Sequence, residues 1–144
     1  MTLTYHLSDT IDALIAKLQE NAVQLGLEDV WYGEQDLIPR TPAVCVEPVD
    51  IDRTWSGTST QTENKFQVHI ILYVSTLKGA QTMRRETDKL AEQIADLINS
   101  DVNLGGLVLI GFVDKIEAGY NIKQGKLMWS SRLTWSALNK TFLT

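Results

Sequence analysis

Residues 66–74 read Phe-Gln-Val-His-Ile-Ile-Leu-Tyr-Val, and their alternation places Phe66, Val68, Ile70, Leu72 and Val74 on one face of a strand. The next stretch carries an apolar stripe at helical spacing: Ala80, Met83, Thr87, Leu90, Ala91, Ile94, Leu97 and Ile98. Two complementary apolar faces in succession specify a sheet with a helix packed on it. They specify no reaction. Beyond the helix, predicted for 80–99, Gly105-Gly106 marks a turn and 107–117 reads as a strand. A loop is expected over 119–125. The last strand, 126–138, has Leu127, Trp129, Leu133, Trp135 and Ala137 on one face.

The first half of the chain supplies a second helix. Ile11, Leu14, Ile15, Leu18, Ala22 and Leu25 recur at helical spacing over about 17 residues. Ser8 is the expected N-cap, Asp9 and Asp12 complement the helix dipole, and Gly26 is the expected stop. Residues 27–40 read as connection, punctuated by Gly33 and Pro39. Their Trp31 and Tyr32 are read as a plug over the core rather than a partner contact, because large aromatics are usually well buried. A short strand at 43–47 is expected to end at Pro48. Residues 50–65 are polar and read as a strand entering a hairpin, with a flexible centre at 56–62. The expected fold class is α+β: a two-layer, mostly antiparallel β-sheet covered on one face by two main helices, with 1–144 as a single domain.

Composition narrows the function classes. Eighteen acids against thirteen bases leave a net charge of −5, which argues against nonspecific nucleic-acid binding. The single cysteine, Cys45, lies in the apolar run Ala43-Val44-Cys45-Val46 and reads as a buried, unreactive thiol. Residues 1–6 lack the basic and apolar blocks of a signal peptide, and no stretch approaches the ~20 apolar residues of a membrane span. The expectation is a chain kept in a cytoplasm, or released by lysis or as part of a particle, with no membrane contact.

A search for chemistry finds no complete motif. Asp50-Ile51-Asp52 begins like a calcium loop, but the sixth position is Trp55 and the twelfth is Gln61, where Gly and an acid are required. Gly106 and Gly111 have phosphate-loop spacing, yet Phe112-Val113 stands where Lys-Ser or Lys-Thr is needed. His6 and His69 are isolated, and His69 alternates out of phase with the apolar set of its strand. Glu47, Asp50 and Asp52 offer carboxylates with no surroundings that would raise their pKa. No catalytic residue, metal or cofactor is expected.

The order of elements carries more than any motif. A long amphipathic helix precedes the strand Thr41-Pro42-Ala43-Val44-Cys45-Val46. A strand with a polar loop, the Phe-x-Val-x-Ile-x-Leu-x-Val strand and a helix near Ala80 follow. A Gly-rich turn then leads to strands closing on Met128-Trp129-Ser130-Ser131-Arg132-Leu133-Thr134-Trp135. Over nearly its whole length the chain resembles the tail terminator (tail completion) proteins of long-tailed bacteriophages. The resemblance implies a non-enzymatic virion subunit. It implies a hexameric ring that ends tail-tube polymerisation and serves head–tail joining. The implied partners are further copies of itself, the major tail tube protein and a neck or connector protein. The implied location is the neck-proximal end of the tail, after assembly in the host cytoplasm. A head-completion or neck protein is the sibling alternative.

Two other classes fit the same composition. A cytoplasmic α+β interaction module would show a defined apolar pocket. An enzyme would gather Glu47, Asp50, Asp52 or His69 in one cleft. For the assembly reading, the residues themselves nominate two groups of anchors. Arg53, Trp55 and Lys65 flank the polar hairpin loop, and Lys115, Tyr120 and Lys123 flank the final hairpin. Aromatic and Arg side chains dominate interface energy, which is why these positions stand out.

Overall fold

The computed structural model describes residues 7–55, 61–75 and 79–142. Its five strands form one sheet in the order β1-β2-β3-β5-β4. They are β1 (Asp29–Tyr32), β2 (Ala43–Trp55), β3 (Gln61–Ser75), β4 (Ile110–Lys123) and β5 (Lys126–Phe142). All neighbours are antiparallel except β1 and β2, which run parallel. Helices α1 (Leu7–Glu20) and α3 (Ala80–Asn99) pack on one face, α1 over β1 and β2 and α3 over β3, β4 and β5. This is the α+β architecture expected from the two apolar faces. No helix among the described residues is long and apolar enough to cross a membrane.

The inner layer closes as the alternation dictates. Ile11, Leu14 and Leu18 of α1 meet Val44 and Val46, while Ile94 and Ile98 of α3 join Val68, Ile70, Leu72, Leu133 and Trp135 in one buried cluster. Leu90 and Leu97 flank it, half-buried. Gly111 belongs to this layer, not to a phosphate loop. A Cβ built there would stand 2.5 Å from Cζ2 of Trp135, so the bare backbone makes room for the indole.

Several boundaries differ from expectation. Ser8 lies inside α1, which already includes Leu7, so it is no N-cap among the described residues. The helical run breaks at Asn21, continues as a short α2 (Ala22–Leu25), and stops at Gly26 in the left-handed conformation. Residues 27–40, a connection by their sequence, contain strand β1. Strand β2 does not end at Pro48. Its partner β1 stops opposite Val46, so from there β2 is an edge strand, and Pro48 adjoins a bulge before Asp50. A missing N–H is tolerated at such a place. Gln61 and Thr62 belong to β3, while the rest of the expected flexible centre, 56–60, lies outside the described residues. The loop expected at 119–125 is mostly strand. The β4–β5 turn is only Gln124 and Gly125, with φ of 53° and 74°. That is the conformation of a tight two-residue hairpin, and Gly125 suits it.

The parallel pairing of β1 and β2 has a consequence for the outer face. A parallel neighbour is reached only by bringing the chain back along the sheet. Residues 33–42 make that return across the face away from the helices. Ile38 buries there with Ala43, Cys45, Ile71, Tyr73 and Met128, and Trp31 packs against this second cluster. Trp31 therefore plugs the outer layer, as its size suggested, while Tyr32 stays exposed.

Candidate assembly surfaces

The register divides the outer face into three zones. At one end lies the covered patch around Tyr73. In the middle, His69, Lys115, Glu117, Arg132 and Thr134 form a polar band. At the far end a shallow trough of about 380 Å³ crosses four strands. Asp50 and Asp52 of β2 and Lys65 and Gln67 of β3 line one side. Ser136 and Leu138 of β5 and Ile110 and Phe112 of β4 line the other. Ile110 is 46% exposed and Phe112 43%, so the apolar side of the trough is open.

At the opposite end of the molecule the β4–β5 hairpin projects as a finger. On its inner side Tyr120 is 70% exposed and Ile122 65%, with Leu127 beside them. Its root is gripped by Arg84 of α3, which donates to the carbonyls of Gly119 (2.9 Å) and Ser130 (3.2 Å) and to Ser131 Oγ (2.9 Å). The guanidinium lies 5.8 Å from the centre of the Trp129 ring, and Tyr120 meets Trp129 edge-on at 6.2 Å. Arg84 also pairs with Asp88 one turn on.

A second clasp holds the finger from the outer side. Lys123 Nζ lies 2.6 Å from Glu34 Oε1 and donates to the Gln35 carbonyl at 2.8 Å. It also sits 5.1 Å from the centre of the Tyr73 ring. The Tyr73 hydroxyl donates to the same Glu34 oxygen. Burial, then the bond to Glu34, pushes the Tyr73 phenol far above its ordinary pKa. Burial likewise pushes the Cys45 thiol up to about 11, which fits an unreactive side chain.

The six nominated residues thus fall into unlike places. Tyr120 is an exposed finger residue, and Lys65 borders the trough. Arg53 donates to Asn64 Oδ1 at 3.1 Å, and Trp55 ends β2 opposite Thr62. Lys115 belongs to the polar band, 3.7 Å from Glu117. Lys123 is only 11% exposed in its side chain, and its charge is engaged within the subunit. Sequence reasoning missed Ile110, Phe112, Ile122 and Leu127. For Ile110 and Phe112 the signal was present: apolar residues on both sides of an alternating strand leave one set without a layer to cover it. Ile122 and Leu127 share the inner face with Trp129, and alternation alone does not mark them as open.

The carboxylates and histidine do not form an acid–base site. Glu47 lies opposite His69 across β2 and β3, whereas Asp50 and Asp52 lie beyond the bulge at the trough. Burial and then the Arg132 charge lower the His69 pKa. Glu117 is held below its ordinary range chiefly by its bond from Arg132. No group of three metal-ligating side chains occurs among the described residues.

No protein-family model matches the chain, and no curated protein matches it. A solved chain of the virion of a native gene transfer agent particle shares the fold, with a TM-score of 0.58 at 12% identity. The match covers 94% of this chain and 98% of that one. Another solved chain is 19% identical over 92% of this chain and 96% of its own, with a TM-score of 0.41, and carries no weight here.

Proposed function

We propose that this protein is a structural subunit of a phage-type particle that caps the tail tube as a ring, ends tail polymerisation and presents the surface for head–tail joining. The observation carrying the reading is the fold likeness to a virion chain over nearly the full length of both. The order of helices and strands, which resembles that of tail terminators, supports the same role. So do two open apolar surfaces at opposite ends of the subunit, since a closed ring of identical copies joins unlike patches head to tail. In this reading 1–144 is one domain, the ring is a hexamer, and the tube and connector proteins are its neighbours. No catalysis, cofactor or nucleic-acid recognition forms part of the role.

The same fold likeness is compatible with a neck or head-completion protein, and particle morphology separates the two. Deleting the gene from an inducible phage should leave normal heads and tails that are overlong or unable to join them, as seen by electron microscopy. Complete tails of normal length with defective heads would favour the head-completion role. Normal particles would sink both.

A further inference from the structure

Strand β4 ends the sheet, so one side of its backbone has no neighbouring strand. Its hairpin fixes which groups are left over. The two-residue turn makes Lys123 and Lys126 a hydrogen-bonded pair, and alternation then points the N–H and C=O of Ile116, Ala118, Tyr120 and Ile122 away from β5. Among the described residues no strand pairs with them, and only the Ile122 N–H is met, by the side chain of Asn121. The rest of this edge is closed. Gly111 N–H donates to the Val102 carbonyl at 2.6 Å, Val113 N–H donates to Asn99 Oδ1 at 2.7 Å, and a bulge follows. On the other side of the sheet, the edge of β2 beyond Val46 carries Pro48, a bulge, Asp50 and Asp52, devices that discourage pairing. The run from Ile116 to Ile122 has neither proline nor bulge. Its four outward residues are apolar on the helix side of the sheet: Ile116, Tyr120 and Ile122 are 42%, 70% and 65% exposed, and Ala118 is exposed with them.

We propose that two copies of the unassembled subunit join their β4 edges antiparallel, about a two-fold axis beside Gly119, into one continuous sheet. The occupant is a second copy because this edge is complementary to itself. Only an axis at Gly119 pairs all four outward residues of each copy. Ile116 then meets Ile122 of the partner subunit, and Ala118 meets Tyr120 of the partner subunit, small against large. On the opposite face the two bare Gly119 residues lie next to the axis, and Glu117 faces Asn121 of the partner subunit. Lys115 faces Lys123 of the partner subunit, whose ammonium is already paired with Glu34 of its own chain. An axis normal to the sheet keeps both α3 helices on one face and joins the two apolar stripes into one. The strand is ready to pair, because Arg84 fixes it from the helix side and Lys123 fastens it on the other, so little order is lost. The contact is isologous and stops at two copies, so it is not the head-to-tail contact of a ring. It covers the finger stripe, which makes dimer and ring alternative states of the subunit.

The test needs only the purified chain and is independent of the particle role. Sedimentation velocity over a range of concentrations should show monomer and dimer and nothing larger. Ala118→Pro removes an outward N–H without touching the ladder to β5, and should weaken dimerisation at least about tenfold. Tyr120→Lys leaves the backbone groups in place and should weaken it similarly by setting a cation in the apolar stripe. Exchange of the Ile116 and Ala118 amides should slow as concentration rises. Gly119→Cys should link two copies, and only two, on mild oxidation. A Cβ there meets nothing nearer than Ser130 Oγ at 3.5 Å, so the variant fits the fold. Ile110→Cys, far from the axis, should stay unlinked. A protein monomeric at every concentration overturns the proposal, as does a dimer indifferent to both Ala118→Pro and Tyr120→Lys. Linking through Ile110→Cys but not Gly119→Cys overturns it too and assigns association to the trough. Oligomers that grow beyond two copies overturn it in favour of a head-to-tail contact. A dimer with all these properties stands even where deleting the gene leaves particles normal, a result that sinks only the proposed function.

Discussion

The two ends of the outer sheet face are built from the same strands and have opposite fates. Around Tyr73 the return segment 33–42 lays Ile38 over Ala43, Cys45 and Met128 and fastens itself through Glu34 and Lys123. Around Phe112 the described residues provide no such cover, and apolar side chains stand open beside two carboxylates. The covered end has a complete second layer and contributes to the stability of the subunit itself. At the open end Ile110 and Phe112 remain 46% and 43% exposed. A sheet with one face against helices can leave the other to solvent. Here one half of it is sealed and the other remains available.

Truncation should separate the two ends most sharply. Tyr73→Ala should cost about 3–5 kcal/mol, the range for deleting a buried aromatic, whereas Phe112→Ala should stay within about 1 kcal/mol in the monomer. Urea unfolding below any association concentration measures both. Equal losses would break the contrast.

The clasp should have an intermediate effect. Lys123→Met leaves Glu34 and the Gln35 carbonyl without their cation and should cost about 1–3 kcal/mol. It should also loosen 33–42 over Cys45. In the parent chain the thiol, buried and pushed up to about 11, should react slowly with a thiol reagent at pH 8. The variant should be labelled several-fold faster. Unchanged labelling would mean that apolar packing alone seals this end.

The smallest effect belongs to the polar band between the ends. His69 has a folded-state pKa below its ordinary 6.5, because burial and then Arg132 disfavour the imidazolium. Below pH 6.5 the unfolded chain therefore binds more protons at this position than the folded one. Stability should fall as pH drops from 6.5 toward the folded value and change no further below it. His69→Gln should flatten that slope. An unaltered slope would place His69 outside the balance.

Much of the inner layer was legible in the sequence. The stripe from Ala80 to Ile98 gave α3 with the bounds Ala80–Asn99, and the alternation of β3 and β5 gave the face they share. Periodicity is local, and a side chain's face follows from spacing alone. The outer layer was not legible because it depends on pairings between distant segments. Asp29-Val30-Trp31-Tyr32 is too short to declare itself and becomes a strand only beside β2. Pro48 reads as a strand end until it is known that β1 stops two residues earlier. Lys123 reads as a free surface cation until Glu34, 89 residues away in sequence, is brought to it. The sequence by itself determined the alternation, the helices and an acidic chain without a complete catalytic motif. Only the tertiary structure decided which end of the outer face is sealed. The parallel pairing of β1 with β2 sends the return segment over one end, and no spacing of residues within a single strand encodes that path.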